Sequence, residues 1–306
     1  MICKGMVRQL KALENKTTGL IVSADYKKTR FKLLYIAMII ILAVLAVICL
    51  FPPVWLALSC FKDVRELLSV PPKILPERFD FGKILDVWKS MNFVKYYMNT
   101  ITMTVGEIAV CVCSTGLAGY VLSRLKPKGT KLISAVIMWT MMMPNTVSMV
   151  PLFMTFINFS PLHINLTDTY IPMWIMAGAN TFYILVFKSF FDSIPISLIE
   201  AARVDGCSDF SIFFRIIAPL SKAVVMVVAI FSFNAAWGNF LWPYLILKSE
   251  ETYTVMVQIF IMKGTSWAID DYICALFFAI LPPVILFIIF QKQIMTGFSL
   301  GGGVKG

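Results

Sequence analysis

Long stretches without a charged residue alternate with short charged segments along the whole chain. A bilayer core of roughly 30 Å requires about 20 apolar residues in a helix, and each stretch has about that length or more. The stretches are residues 33–61, 96–123 with Glu107 inside, 132–167, 169–187, 223–247 and 272–291. The pattern therefore predicts six membrane-spanning segments.

Within these stretches the apolar residues are continuous and do not occupy only every second position. Strands of outer-membrane barrels alternate apolar and polar residues, whereas a lipid-surrounded helix is apolar on all sides and satisfies its own backbone hydrogen bonds. The sequence therefore predicts an all-α membrane protein. We expect residues 33–291 to form one six-helix transmembrane domain, between an N-terminal segment 1–32 and a C-terminal tail 292–306.

Composition indicates the same class. Of the 306 residues, 59% are hydrophobic and 14% are charged, whereas a soluble domain has about 45–50% apolar and about 25% charged residues. There are too few polar side chains to cover a soluble surface, so the excess apolar side chains must face lipid. The apolar core of a cleaved signal peptide has about 7 to 15 residues, and the first apolar run, residues 33–61, is longer than that. We therefore expect the first helix to remain in the mature protein.

The positions of the basic residues predict the orientation, because Lys and Arg are retained on the cytoplasmic side of short loops. An even number of spans places residues 1–32, 124–131, 188–222 and 292–306 on one side, and these segments contain 18 of the 27 Lys and Arg residues. We therefore expect both termini in the cytoplasm. The net charge of +10 does not indicate nucleic acid binding, because the basic residues flank spans and do not form one basic domain.

Few residues suited to catalysis or metal binding occur in the chain. His163 is the only histidine, and no two of the seven cysteines have C-x-x-C spacing. The sequence lacks a G-x-x-x-x-G-K-[ST] phosphate-binding loop. We therefore expect no metal, cofactor or ATP site. A membrane-embedded enzyme is a weak alternative, because no His, Asp or Glu residues cluster at membrane depth.

The polar segment 189–222 follows the fourth span and predicts a helix, a break and a second helix. Ser193 and Pro195 suit the start of the first helix, and Gly206 suits a left-handed position after its end. Ser208 can cap the second helix, which runs toward Pro219.

In the first helix of this segment, Leu198, Ala201 and Ala202, at i, i+3 and i+4, form a small apolar face, with Glu200 and Arg203 beside it. Small side chains permit another surface to approach closely. From periodicity alone, an amphipathic loop lying on the membrane explains the segment equally well.

The same segment resembles the permease subunits of ABC importers, whose cytoplasmic loop carries Glu-Ala-Ala, three residues, Gly, nine residues and Ile-x-Leu-Pro. The matching residues are Glu200, Ala201, Ala202, Gly206, Ile216 and Pro219, with Ala218 where Leu is usual. The longer run E-A-A-R-V-D-G, which adds Arg203 and Asp205, is similar to the carbohydrate branch. Residues 236–243, A-W-G-N-F-L-W-P, and the tail 297–306 also resemble that branch, although Gly238 and Asn239 replace a common Asn and a common acid.

The resemblance implies a type I ABC importer permease fold and a multi-pass location in the bacterial cytoplasmic membrane. It implies import of a sugar or oligosaccharide by alternating access, together with a second homologous permease. It also implies a dimer of separate ABC ATPase subunits and an extracytoplasmic solute-binding protein as partners. The loop around Glu200 would be the coupling helix, seated in a cleft of the ATPase. An ABC permease for another solute, such as an amino acid, is the alternative.

Polar residues inside the predicted spans are candidate pathway residues. Glu107 would cost about 2.5 kcal/mol or more facing lipid, so we expect it in the bundle interior, in a structural hydrogen bond or a pathway role. Asn234 and Asn239 lie five residues apart with Trp237 between them, so we expect the three to share one side of the fifth helix.

These three side chains suit a sugar, since aromatic faces pack on apolar ring surfaces and amides bind hydroxyls. Contacts between helices explain the asparagines equally well. An ion-driven carrier is less favoured, because Glu107 is the only Asp, Glu, Lys or Arg residue in the spans and no repeated half is apparent.

Overall fold

The structure, a computed structural model, describes residues 29–144, 146–265 and 267–302. Residues 1–28 of the predicted N-terminal segment 1–32 therefore lie outside the described residues. Residues 303–306 of the predicted tail also lie outside them. The described chain is helical, and its only β interaction is a single bridge between Phe159 and Ile164.

The helices are α1 (Thr29–Ser59), α2 (Val64–Leu67), α3 (Phe81–Ser90), α4 (Phe93–Tyr120), α5 (Thr130–Met142), α6 (Met149–Ile157), α7 (Ile171–Gly178), α8 (Thr181–Ser193), α9 (Ile196–Val204), α10 (Asp209–Ile212), α11 (Ala218–Leu220), α12 (Lys222–Trp237), α13 (Leu241–Ile246), α14 (Val255–Lys263) and α15 (Ile269–Gly302). Two π-helical turns, Val121–Leu125 and Phe213–Ile217, continue α4 and α10.

Three helical stretches are long and apolar enough to cross a membrane: Lys32–Ser59, Phe93–Leu125 and Ile269–Gln293. Two helix pairs are further candidates, each bent at a short break. The angle is 42° between α7 and α8, and 76° between Asp209–Leu220 and α12. By length and composition, the described residues thus contain three to five candidate spans, against the six that the sequence predicts.

The difference lies in the third predicted span, which is divided into α5 and α6. Because a residue before proline is disfavoured in the helical conformation, Met143 before Pro144 is extended, with ψ 128°, and α5 ends at Met142. At about 1.5 Å per residue, neither α5 nor α6 alone reaches across the roughly 30 Å core of a bilayer.

The chain divides into two units, residues 1–58 and 59–306. The described part of the first unit belongs to α1, whose apolar side chains are exposed from Leu33 to Pro52 and become half-buried from Trp55 to Leu58. A helix that is apolar on all sides belongs in lipid or against another protein surface.

Helix α4 is central to the second unit and packs against α7, α8 and α12. Its buried residues recur every three or four positions and include Met103, Glu107 and Cys111. Near its end, a Cβ added to Gly119 would lie 2.7 Å from the Cβ of Phe187 and 2.9 Å from the backbone nitrogen of Lys188. Glycine at this position therefore permits the close crossing of α4 and α8.

Candidate functional site: the loop between α8 and α12

The segment between α8 and α12 contains the residues that resemble a coupling loop. Helix α8 ends at Ser193, Ile194 and Pro195 are extended, and α9 begins at Ile196. The prediction that Ser193 caps α9 is wrong, because Pro195 keeps Ile194 extended and separates the two helices. Ser193 instead donates its hydroxyl proton to the carbonyl oxygen of Phe190 at 2.6 Å.

The break after α9 has the predicted backbone. Gly206 has φ +81°, which confirms the expected left-handed conformation, and an added Cβ would meet no atom within 4 Å. Glycine is therefore required by the backbone angle and not by lack of space. Ser208 accepts a hydrogen bond from the backbone N–H of Ser211 at 3.3 Å, which confirms its role as the cap of α10.

An ion pair spans this break. The guanidinium of Arg203 donates from Nη2 and Nε to Oδ1 of Asp209, at 2.9 and 3.3 Å. The two side chains are each half-exposed. Asp209 also lies in the first turn of α10, where a negative charge is favourable to the helix dipole.

The two sides of α9 differ in environment. Ile199 and Ala202 are buried, whereas Glu200 and Ala201 are exposed and Val204 is 88% exposed. The expected apolar face of Leu198, Ala201 and Ala202 is therefore divided, because Leu198 and Ala201 are exposed, whereas Ala202 is buried beside Ile199 in the chain's own core.

The loop also exposes large apolar side chains beyond α9. Phe210 and Phe214 are 71% and 52% exposed, with ring centroids 4.6 Å apart. Ile216 is partly buried, and Pro219 is exposed beside the bend into α12. Exposed apolar side chains of this size are typical of a surface that another protein or the membrane covers.

Residues at the end of α4 hold the base of the loop, and sequence reasoning missed them. Arg124 donates from Nη2 to the carbonyl oxygens of Phe191 and Ile194. Ser123 donates from Oγ to Oδ1 of Asp192 at 2.6 Å. The sequence shows Arg124 only as one of several basic residues that indicate orientation.

The three candidate pathway residues of α12 lie in different surroundings. Trp237 is buried, donates from Nε1 to the carbonyl oxygen of Ala279 at 2.9 Å and stacks on Phe233.

Asn234 is exposed and donates from Nδ2 to the carbonyl oxygen of Ile230 in its own helix, at 3.0 Å. Asn239 lies beyond the end of α12 and is partly exposed. The three do not share one side, because the helical spacing ends at Trp237.

Glu107 lies in the bundle interior, as predicted, and only 7% of its surface is exposed. Its Oε1 and the hydroxyl of Thr104, one turn earlier on the same buried side of α4, have no hydrogen-bond partner among the described residues. A buried carboxyl group near the middle of a span is expensive, and such groups are commonly functional.

Asp168, which lies just before α7, joins its own loop to the loop between α13 and α14. It has φ +61°, and its Oδ1 accepts hydrogen bonds from Thr252 Oγ1 at 2.6 Å and from the backbone N–H groups of Lys248 and Ser249 at 3.0 and 3.1 Å. Burial alone would raise the pKa of Asp168, but these hydrogen bonds outweigh it and lower the pKa to about 2.

Metal ligands do not cluster in the part of the chain that the structure describes: no three His, Cys, Asp or Glu side chains lie together there. His163 is exposed, and its Nδ1 lies 3.1 Å from Oδ1 of Asn158.

Sequence comparison relates the chain to transport proteins. Residues 115–298 match the family described as binding-protein-dependent transport system inner membrane component. The arabinooligosaccharides transport system permease protein AraQ of Bacillus subtilis is 31% identical over 90% of this chain and 98% of that protein. The diacetylchitobiose uptake system permease protein NgcG of Streptomyces coelicolor is 30% identical over 89% of each chain.

Structural comparison agrees in fold. The described helices resemble a chain in the crystal structure of a bacterial ABC transporter involved in the import of the acidic polysaccharide alginate. The TM-score is 0.74 with 22% identity, over 90% of this chain and 99% of that chain.

Proposed function

We propose, since this chain belongs to the family of binding-protein-dependent transport system inner membrane components, that it forms part of the membrane pathway of an ATP-driven sugar importer. The chain is a multi-pass membrane protein and a transport subunit, not an enzyme. Importers of this family work with an ATPase and a substrate-binding protein.

A sugar or oligosaccharide is the substrate class that the relatives support. The observation that carries this proposal is similarity along nearly the full length to permeases named for arabinooligosaccharides and diacetylchitobiose. A third relative, 31% identical over 92% of this chain, is the galactooligosaccharides transport system permease protein GanQ of Bacillus subtilis. These names favour a sugar over an amino acid.

The proposed topology has six spans and both termini in the cytoplasm. In this arrangement α5 and α6 together form the third span, α7 with α8 the fourth, and α12 with α13 the fifth. The excess of Lys and Arg in residues 1–32, 124–131, 188–222 and 292–306 supports this orientation.

The exposed side of the loop is the proposed contact with the ATPase. Glu200 and Ala201 would face the ATPase, while Arg203, Asp205, Gly206, Ile216 and Pro219 would maintain the shape of the loop. Exposure of Glu200, Val204 and Phe210 supports this assignment. The ATPase would act as a dimer, and a second homologous permease would complete the pathway between the two membrane subunits.

Asn234 and Asn239 are the proposed sugar contacts of the pathway, because both amides are at least partly exposed on this chain. Trp237 would act through packing, since its indole is already hydrogen-bonded to α15. Glu107 would lie beside the pathway, on the buried side of α4.

Purification of the chain from membranes of its own host, through an affinity tag at residue 306, tests this function. We expect an ABC ATPase and a second permease to co-purify. We also expect the solute-binding protein of this transporter to bind a sugar in a calorimetric screen of sugars and amino acids. Recovery of the chain without any ATPase, or a binding protein that binds amino acids and no sugar, would contradict the proposal.

A further inference from the structure

Arg124 contacts the end of α8 at two main-chain positions. Its Nη2 donates to the carbonyl oxygens of Phe191 and Ile194. The last four carbonyl groups of a helix have no partner within that helix, and a cation at this end is favourable to the helix dipole. Arg124 therefore supplies donors and a charge where α8 lacks both.

A second contact beside it holds the same turn of α8. Ser123 is buried, and its hydroxyl donates to Oδ1 of Asp192 at 2.6 Å. The other carboxylate oxygen of Asp192 accepts from Lys188 Nζ at 2.7 Å. Two consecutive residues of one π-helical turn are thus fixed to the last turn of α8.

These contacts join two elements that are far apart in the sequence. Val121–Leu125 continues α4, the helix that packs on α7, α8 and α12. Ile194 lies two residues before Ile196, where α9 begins. The contacts therefore connect the base of α9 with the central helix of the bundle.

The partial burial of the Arg124 guanidinium favours a specific structural role over that of a basic residue that only sets the membrane orientation. Its Nε is buried and has no hydrogen-bond partner among the described residues. Arg124 thus keeps part of its guanidinium out of water, which a residue that only marks the cytoplasmic side of the membrane does not need to do.

We infer that Arg124 is a positioning residue that transmits the movement of α9 to α4. The inference rests on the proposed function, in which an ATPase moves α9. When α9 is displaced, Ile194 and Phe191 move with it, and Arg124 carries the displacement into the end of α4. Without Arg124, α9 can shift while α4 stays in place, so ATP hydrolysis continues without an equal amount of transport.

The experiment compares the full transporter with Arg124→Gln, Arg124→Lys and Lys128→Gln chains. Lys128 is an exposed cation on the same short segment and serves as the matched control for charge. For each variant, the amount of co-purified ATPase, the rate of ATP hydrolysis and the sugar taken up are measured on the same membranes. The readout is the sugar transported per ATP hydrolysed.

We expect Arg124→Gln to retain the ATPase and to lower the sugar transported per ATP by about tenfold, within the range known for residues that carry coupling. Arg124→Lys should restore part of this ratio, because its ammonium group supplies several donors from one nitrogen. Lys128→Gln should behave as wild type.

Two results would overturn the inference. One is a wild-type ratio in Arg124→Gln. The other is loss of the Arg124→Gln chain from the membrane together with a wild-type ratio in Arg124→Lys, which would assign Arg124 to folding alone. A wild-type chain that binds no ATPase would contradict the proposed function itself, independently of any variant.

Discussion

Arg203 and Asp209 form an ion pair across the left-handed turn at Gly206, and this pair joins the end of α9 to the first turn of α10. The pair is half-exposed, so its own contribution to stability is about 0 to 1 kcal/mol. We expect its main effect to be on the angle between the two short helices that it links.

Exchanging the charges of this pair tests that role. Arg203→Glu should lower uptake, because two carboxylates then face each other across the turn, and the double variant Arg203→Glu, Asp209→Arg should recover most of it. Uptake per chain in the membrane is the measurement. Equal loss in the single and double variants would show that Arg203 acts on a partner and not on Asp209.

Reversing the charge of Glu200 should abolish uptake while the chain remains in the membrane. Glu200 is exposed on α9, where we expect it to face a basic residue of the ATPase, and a charge pair made like-charged at an interface costs several kcal/mol. Asp86→Lys, at an exposed acid of α3, is the control. Wild-type uptake and normal ATPase recovery in Glu200→Lys would remove Glu200 from the contact surface.

Replacing Gly206 by Val should destabilise the turn by about 1 to 2 kcal/mol, because a β-branched residue is strained at positive φ. Gly206→Asn should be milder, since Asn tolerates this conformation better. Thermal unfolding of the purified complex measures both. Gly264→Ala, at φ −89°, is the control, and equal effects of Val and Asn would argue against backbone strain.

Asp168 should make the stability of the two loops that it joins depend on pH. Its folded pKa of about 2 is below the value of about 3.9 in an unfolded chain. The ionised carboxylate therefore contributes stability above about pH 4, and this contribution is lost as the pH falls toward 2.

We expect Asp168→Asn to lower stability by about 1 kcal/mol at pH 7, after allowance for solvent screening. The difference from wild type should shrink between about pH 4 and pH 2. Thermal unfolding in detergent over this range is the measurement. A difference that does not change with pH would assign the effect to the shape of the side chain.

Replacing Trp237 and Asn239 singly by Ala should separate packing from transport. Trp237 is buried against α15, so its loss should cost about 3 to 5 kcal/mol and lower the yield of the complex. Asn239→Ala should keep the yield and change the apparent sugar affinity or the rate. If yield falls in step with uptake for Asn239→Ala, this residue belongs to helix packing and not to the pathway.

The sequence predicts well those features that depend on local chemistry. Gly206 and Ser208 are examples, because a left-handed turn and a helix cap are determined by the residue and its immediate neighbours. The burial of Glu107 is also predictable, since lipid offers a carboxyl group no partner. The helical class follows from the length of the apolar runs.

Features that depend on distant contacts are not predictable in this way. The position of Trp237 depends on α15, which lies about forty residues later, and the buried stripe of α9 depends on the core beneath it. Arg124 and Asp168 bind main-chain groups far away in the sequence, and such groups have no sequence signature. The division between α5 and α6 was open to prediction, because Pro144 restricts the residue before it.

The chain bends by 76° just before α12, and under the proposed function this bend would determine how a force on the loop reaches α12. The helical stretch Asp209–Leu220 is about 18 Å long at 1.5 Å per residue, and it meets α12 nearly at a right angle. A sideways push at the far end of such an arm turns the longer helix about its axis instead of sliding it along that axis. In the proposed topology, the bend would convert a translation on the cytoplasmic side into a rotation of α12 within the bilayer.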